Sequence, residues 1–236
     1  MDLSPNFVML GIVWYVVFLF STTLHEASHA WAALKLGDPT AYRGGQVTLN
    51  PVPHIRREPF GMVLVPLLTY FMSGWAIGWA SAPYDPQWAS RYPKRAAWMA
   101  LAGPVSNLSL VLTAGLLIRI GTMVGYLQPP AQISFAHIVE SVSPGVGETV
   151  ATFVSVLFTL NLLLFAFNLL PLPPLDGSGV LPLFLSKGGA ERWQGLIRQP
   201  MMGMLGIIIA WKVFGSIFWP LLQFALRLLY PGVSYG

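Results

Sequence analysis

The sequence predicts an all-α integral membrane protein, with about four transmembrane helices, a re-entrant segment and a short membrane-associated β-hairpin or strand. Three observations lead there. Of the 236 residues, 55% are hydrophobic and only 9% charged, whereas a soluble chain carries roughly 25% charge because its surface must be solvated. The mean hydropathy is +0.62, and the apolar residues gather into stretches near the roughly 20 residues that a bilayer crossing takes. The 20 Pro and 23 Gly must interrupt these stretches. In a bilayer such breaks persist only where protein or a water-lined cavity satisfies the backbone.

The whole chain, 1–236, reads as a single polytopic membrane domain. A first span is predicted over about 7–36. Residues 7–24 lack a basic leader and a small-residue cleavage site, so they read as a retained span rather than a signal peptide. Residues 37–59 are turn-rich, with Gly37-Asp38-Pro39, Gly44-Gly45 and Asn50-Pro51, and Gln46-Val47-Thr48-Leu49 alternates like a short strand. The stretch 60–82 is apolar but broken by Pro66, Gly74 and Gly78. Further spans are predicted over about 94–122, 150–171 and 203–230, the last containing Lys212 and Pro220.

Charge orients these spans. Lys35, Arg43, Arg56 and Arg57 lie in 35–58; Arg91, Lys94 and Arg95 in 82–96; and Lys187, Arg192 and Arg198 in 182–202. The 120–149 stretch carries no Lys or Arg. The positive-inside rule puts the first three loops in the cytoplasm and the fourth outside. Loops 35–58 and 82–96 share a side only if 60–82 enters and leaves on one face, hence the re-entrant reading. A plain fifth span with three basic residues outside is the rival. The net charge of +4 includes no basic run longer than two residues, which argues against a nucleic-acid partner. The absence of Cys rules out disulfides, thiolate metal sites and cysteine nucleophiles.

Ionisable residues inside a membrane are costly and mark function. Two acids lie in or against strongly apolar helices: Glu26 and Asp176. Glu26 belongs to His25-Glu26-Ala27-Ser28-His29. On a helix His25 and His29 are one turn apart on one face and can converge on a single Zn²⁺. Glu26 beside them can take a proton from a water activated there. Chance matches to H-E-x-x-H are common, but two His and a Glu in a membrane helix are expensive without a metal or polar partners. A catalytic zinc has three protein ligands. His54 sits in a polar loop beside Arg56 and Arg57 and reads as solvated or structural. His137 lies in the outer loop, remote from the motif. Asp176 is the better third ligand: it follows an apolar helix, precedes Gly177, and reaches the same face as His25 and His29 if two crossings intervene. Asn168 could bind substrate backbone or a developing oxyanion. Asn107 could do likewise or simply hydrogen-bond a neighbouring helix. Asn161 lies within the helix with no motif to recommend it.

The paired motifs His25-Glu26-Ala-Ser-His29 and, about 140 residues later, Asn168-Leu-Leu-Pro171-Leu-Pro-Pro-Leu175-Asp176-Gly177 resemble the site-2 protease family of intramembrane zinc metalloproteases. Gly45-Gln-Val-Thr-Leu-Asn50-Pro51, 74–83 and Ala102-Gly-Pro-Val-Ser-Asn107 resemble its compact bacterial and archaeal branch, without the PDZ-like insertion or nucleotide-sensing module of larger members. The resemblance covers most of residues 20–180. It implies one Zn²⁺ per chain held by His25, His29 and Asp176, with Glu26 as general base and Asn168 holding substrate or oxyanion. It also implies a site a short way inside the bilayer from the cytosolic face. Gln46, Val47, Thr48, Leu49 and Asn50 would form an edge strand that receives an unwound substrate by β-augmentation.

The expected activity is a zinc endopeptidase that cleaves transmembrane segments of membrane proteins in regulated intramembrane proteolysis. Its expected partners are the lipid bilayer and single-pass transmembrane proteins or peptides, with homo-oligomerisation left open. Two other classes stay in view: a non-proteolytic membrane binding protein with a metal site, and a small proton or metal transporter. A structural zinc normally has four protein ligands, and only three are found. A transporter predicts inverted repeats, and none is visible.

Overall fold

A computed structural model describes residues 4–233 and Tyr235. Among them four helices are long and apolar enough to cross a membrane: α1 (Pro5–Leu36), α6 (Pro93–Met123), α7 (Val146–Asn168) and α10 (Pro200–Leu229). Short helices fill the connections: α2 (Thr40–Arg43), α3 (Pro51–Arg57), α4 (Val65–Ser73), α5 (Pro86–Arg91), α8 (Asp176–Val180) and α9 (Lys187–Ile197). The fold is that of an all-α, multi-pass membrane protein. Three of the four spanning helices have a local reason to start. Pro occupies the first turn of α1, α6 and α10, where its missing N–H costs nothing. α1 ends at Gly37 in the left-handed conformation, φ 106°, with its N–H on the last carbonyls.

α7 sits at the centre, packed against α1 and α6; 67% of its most apolar window is buried, against 17% for α10 on the outside. A core of Val17, Phe18, Ile118, Val156, Leu160 and Phe218 fills the space between them. One end of the bundle, the near end, gathers the C-termini of α1 and α7 with the N-termini of α6 and α10. There Arg95 Nη1 donates to Leu36 O and Arg198 Nη1 to Ser90 Oγ. The far end holds the 124–145 loop, where β1 (Leu127–Gln128) and β2 (Glu140–Ser141) pair antiparallel. Tyr230 Oη donates to Ile138 O, while Ile138 and Val139 N–H groups donate to Ser155 Oγ of α7.

Residues 60–82 form a hairpin. A π-helical turn, Phe60–Leu64, runs into α4, Gly74 takes the left-handed conformation (φ 79°), and the chain returns extended. The helical arm of 14 residues is about 21 Å long, short of a hydrocarbon core of about 30 Å. Trp79 N–H donates to Gly61 O at 3.1 Å, Ile77 N–H to Thr69 Oγ1 at 3.0 Å, and Ser81 Oγ to Glu58 Oε1 at 2.6 Å. Residue 81 therefore returns to the level of residue 58, as a re-entrant segment must. The tip reaches the start of α1, where Tyr70 Oη donates to Phe7 O. Asp38 closes the open end by accepting from the Thr40 and Asp85 N–H groups.

The strand expected at Gln46–Asn50 is not there. Gln46 is buried with its N–H on Ala41 O, and 47–49 bend. Thr48 Oγ1 accepts from Asn50 N–H, and Asn50 Oδ1 caps α3 through Val52 N–H. His54, buried rather than solvated, donates from Nε2 to Thr48 O. These short-range side-chain bonds outcompete a ladder that has no second strand to pair with. The small sheet is at the far end instead, so 46–50 offers no ready-made edge strand for β-augmentation.

The two arms of the hairpin touch through glycine. A Cβ on Gly78 would overlap Gly61 O, and one on Gly61 would overlap Trp79 O. Both obstacles are backbone and cannot swing away. Gly78→Ala should therefore cost about 1–3 kcal/mol by overpacking, read as a lowered thermal-unfolding midpoint in detergent. An unchanged midpoint would show that the arms are not in this contact.

Candidate metal centre

His25 and His29 face the same way from α1 because four residues make one helical turn. Their rings meet edge to face, centroids 4.6 Å apart, with the two Nε2 atoms 3.0 Å apart. Asp176 comes from the other end of the sequence: its Oδ2 lies 3.0 Å from His25 Nε2 and 3.3 Å from His29 Nε2. The carboxylate is delivered by the turn after α7. Gly177 lets that turn press against the end of α7, where any Cβ would overlap the Leu169 and Leu170 carbonyls. Outside it, Trp193 of α9 donates Nε1–H to Ser178 O and braces α8.

Both imidazoles are committed on their other nitrogen. His29 Nδ1–H donates to Met99 O at 2.8 Å. That carbonyl belongs to α6 one residue before the one whose helical donor Pro104 removes. His25 Nδ1–H donates to Asn107 Oδ1 at 2.6 Å. With Nδ1 protonated on each ring, the Nε2 lone pairs point at one another and at Asp176 Oδ2. Three electron-rich atoms about 3 Å apart in a buried site repel unless a cation lies between them.

The donor set fits a divalent metal. Two neutral imidazoles and a carboxylate are zinc-type ligands, and tetrahedral ligands about 2.0–2.1 Å from zinc stand about 3.3 Å apart, close to the 3.0–3.3 Å separations here. The three donor atoms lie within 4.8 Å of one another, the one such group of His and acidic residues among the described residues. Space has been kept for it. Gly103 of α6 faces both imidazoles, and a Cβ there would overlap His29 Nε2 and come within 2.5 Å of His25 Nε2. The site opens on the Asp176 side, whose side chain is 22% exposed against 7% and 8% for the imidazoles.

Glu26 is buried, bears electrostatically on His29, and hydrogen-bonds none of the described residues, so its oxygens are available to a water. Asn168, at the C-terminus of α7, is half-buried and likewise hydrogen-bonds none of them. Asn107 is brought to the centre through His25. His137 is not: it turns to Glu140 in the far loop, and that hydrogen bond lowers the Glu140 carboxyl from its ordinary value.

Asn161 and Ser21 were missed as site residues. Asn161 is fully buried and joins Asn107 to Ser21. Ser21 lies one turn before His25 on the same face of α1, a spacing that could have flagged it.

Two imidazoles and a carboxylate converging in a bundle of spanning helices are the donor set a membrane metallopeptidase would use. The chain belongs to peptidase family M50, whose model matches residues 13–208, and it is a metalloprotease. It is similar to a Bacillus subtilis protein named "Putative zinc metalloprotease YwhC", 32% identical over 88% of this chain and 93% of that one. Two "Putative zinc metalloprotease Rip2" proteins are also similar. That of Mycolicibacterium smegmatis is 26% identical over 86% of this chain and 68% of its own length. That of Mycobacterium tuberculosis is 30% identical over 74% of this chain and 56% of its own length. No solved structure matches the chain.

Because Gly103 keeps the donors' shared space open, Gly103→Ala should abolish binding of one equivalent of Zn²⁺ while leaving the helical content intact. Elemental mass spectrometry and circular dichroism of the detergent-purified protein check both. Full metal content in the folded variant would mean that the metal lies elsewhere.

Proposed function

We propose that this metalloprotease is a zinc endopeptidase that hydrolyses peptide bonds in transmembrane segments of single-pass membrane proteins, close to the cytosolic face. The observation that carries the reading is the convergence of His25 Nε2, His29 Nε2 and Asp176 Oδ2 between the near-end half of α1 and the turn after α7. The basic residues of 35–58, 82–96 and 182–202 cluster at that end, which supports a cytosolic placement.

His25, His29 and Asp176 would hold one zinc. Held there, it would supply Lewis acidity toward a carbonyl oxygen and a water. Glu26 accepts the proton of the attacking water and returns it to the departing amine. Asn168, with its amide unengaged, holds the substrate backbone or the developing oxyanion. The opening beside Asp176 admits water. A helical substrate hides its carbonyls in its own hydrogen bonds, so it must unwind before the site can reach one. Helix-breaking residues near the cut should therefore favour cleavage.

Glu26→Gln should keep the wild-type metal content and lower cleavage of a single-pass reporter by about 10²–10⁴-fold, the usual contribution of a general base. Undiminished cleavage removes Glu26 from that role. His25→Ala and Asp176→Ala should each lose both metal and cleavage. Retention of the metal in either would overturn the three-ligand assignment.

A further inference from the structure

A buried chain of hydrogen bonds runs from His25 through α6 and α7 and back to α1. His25 Nδ1–H donates to Asn107 Oδ1 at 2.6 Å, Asn107 Nδ2 to Asn161 Oδ1 at 2.8 Å, and Asn161 Nδ2 to Ser21 Oγ at 2.8 Å. Both asparagines are fully buried, as is Ser21, so no bulk water competes for these groups. The circuit closes because Ser21 and His25 stand one turn apart on α1.

The direction of the chain is set at its far end. Asn161 Nδ2 also lies 2.8 Å from Leu157 O. A backbone carbonyl only accepts, so that end of the Asn161 amide must be the NH₂. Its oxygen is therefore the atom that faces Asn107. An amide is nearly symmetrical in shape and could be turned over at little steric cost, but turning Asn107 over would set two oxygens 2.8 Å apart. Asn107 must offer Nδ2 to Asn161 and, in consequence, Oδ1 to His25. Only the Nδ1–H tautomer of His25 can donate to that oxygen, and this is the tautomer whose Nε2 lone pair faces Asp176.

We infer that Asn161 is a positioning residue for the metal centre: by fixing which way the Asn107 amide faces, it selects the His25 tautomer that can bind a metal. This rests on the proposed ligand set but not on cleavage. Asn161 hydrogen-bonds Asn107, Ser21 and Leu157 O and none of the three donor atoms. Freed from Asn161, the Asn107 amide can present its NH₂ to His25, which then holds its proton on Nε2 and loses that lone pair. Partners that orient metal-ligating histidines are typically worth 10–100-fold in metal affinity.

The test uses the full-length protein in detergent, with zinc affinity read by chelator competition and the His25 tautomer by ¹⁵N-histidine NMR of the metal-free protein. Asn161→Leu should weaken zinc binding at least about tenfold and convert part of the His25 signal to the Nε2–H form. In an Asn107→Leu background there is no amide left for Asn161 to orient. There Asn161→Leu should change affinity less than about twofold. Equal losses in the two backgrounds would mean that Asn161 acts through packing, and would overturn the inference. So would an unchanged tautomer in Asn161→Leu. Asn161→Ala, which also removes the acceptor for Asn107, stands in should the leucine variant fail to fold. It should show the same loss of affinity and the same Nε2–H signal, and wild-type affinity with an unchanged tautomer would refute the inference as well. Zinc loss in His25→Ala reports separately on the ligand set, so the two failures are distinguishable.

Discussion

Two imidazole lone pairs and a carboxylate oxygen aimed at one another across about 3 Å set the terms for the rest of this molecule. Such a grouping is repulsive unless a positive charge sits inside it, and the protein spends much of its architecture holding it together. α1 supplies the two imidazoles by helical spacing alone. α6 must then approach closely enough to engage both Nδ1 atoms, and it does so with glycine where the two rings face it. α7 must end in a turn sharp enough to swing Asp176 back toward α1. Proline-rich chain and Gly177 provide that turn, and a tryptophan outside it holds it in place.

The polar groups buried alongside are not mainly a source of stability. Hydrogen bonds between membrane helices are worth about 0.6–1.7 kcal/mol each, so the bonds among Ser21, Asn107 and Asn161 total a few kcal/mol, within a margin that is itself only about 5–15 kcal/mol. Their yield is orientation. A leucine at position 161 could fill much of the same space, but it could not dictate which face of a neighbouring amide meets a histidine. The same division runs along α7. Leu160, Val156 and Phe158 pack, while Ser155 and Thr159 accept and donate to the far-end loop and Asn161 bonds Asn107 of α6 and Ser21 of α1.

What could be read in the sequence was what depends on local spacing or on counting. The His25–His29 interval, the paucity of charge and the four long apolar stretches needed no tertiary information. Asp176 and the 60–82 hairpin followed from counting crossings against the Lys and Arg of the loops, a global constraint that the order of residues carries. Alternation over Gln46–Leu49 misled because so short a stretch does not distinguish a strand from a capped turn. The cap in fact belongs to Asn50 and Pro51. His54 has two arginines for neighbours in sequence yet is buried in space. Asn161 was visible but mute: its partners are 54 and 140 positions away, and nothing in an apolar helix announces which polar residue has found one.

The three donors do not leave the ribosome together. The first two sit in the first helix, and the third follows His25 by 151 positions, beyond two more spanning helices and a hairpin. During synthesis the membrane holds a nascent chain with two histidines and no third donor, and the braces on the third, Ser178 and Trp193, emerge later still. The three-donor group therefore does not exist until most of the protein has been inserted and packed. A chain that stops short of residue 176 carries two imidazoles in its first helix and no carboxylate to meet them.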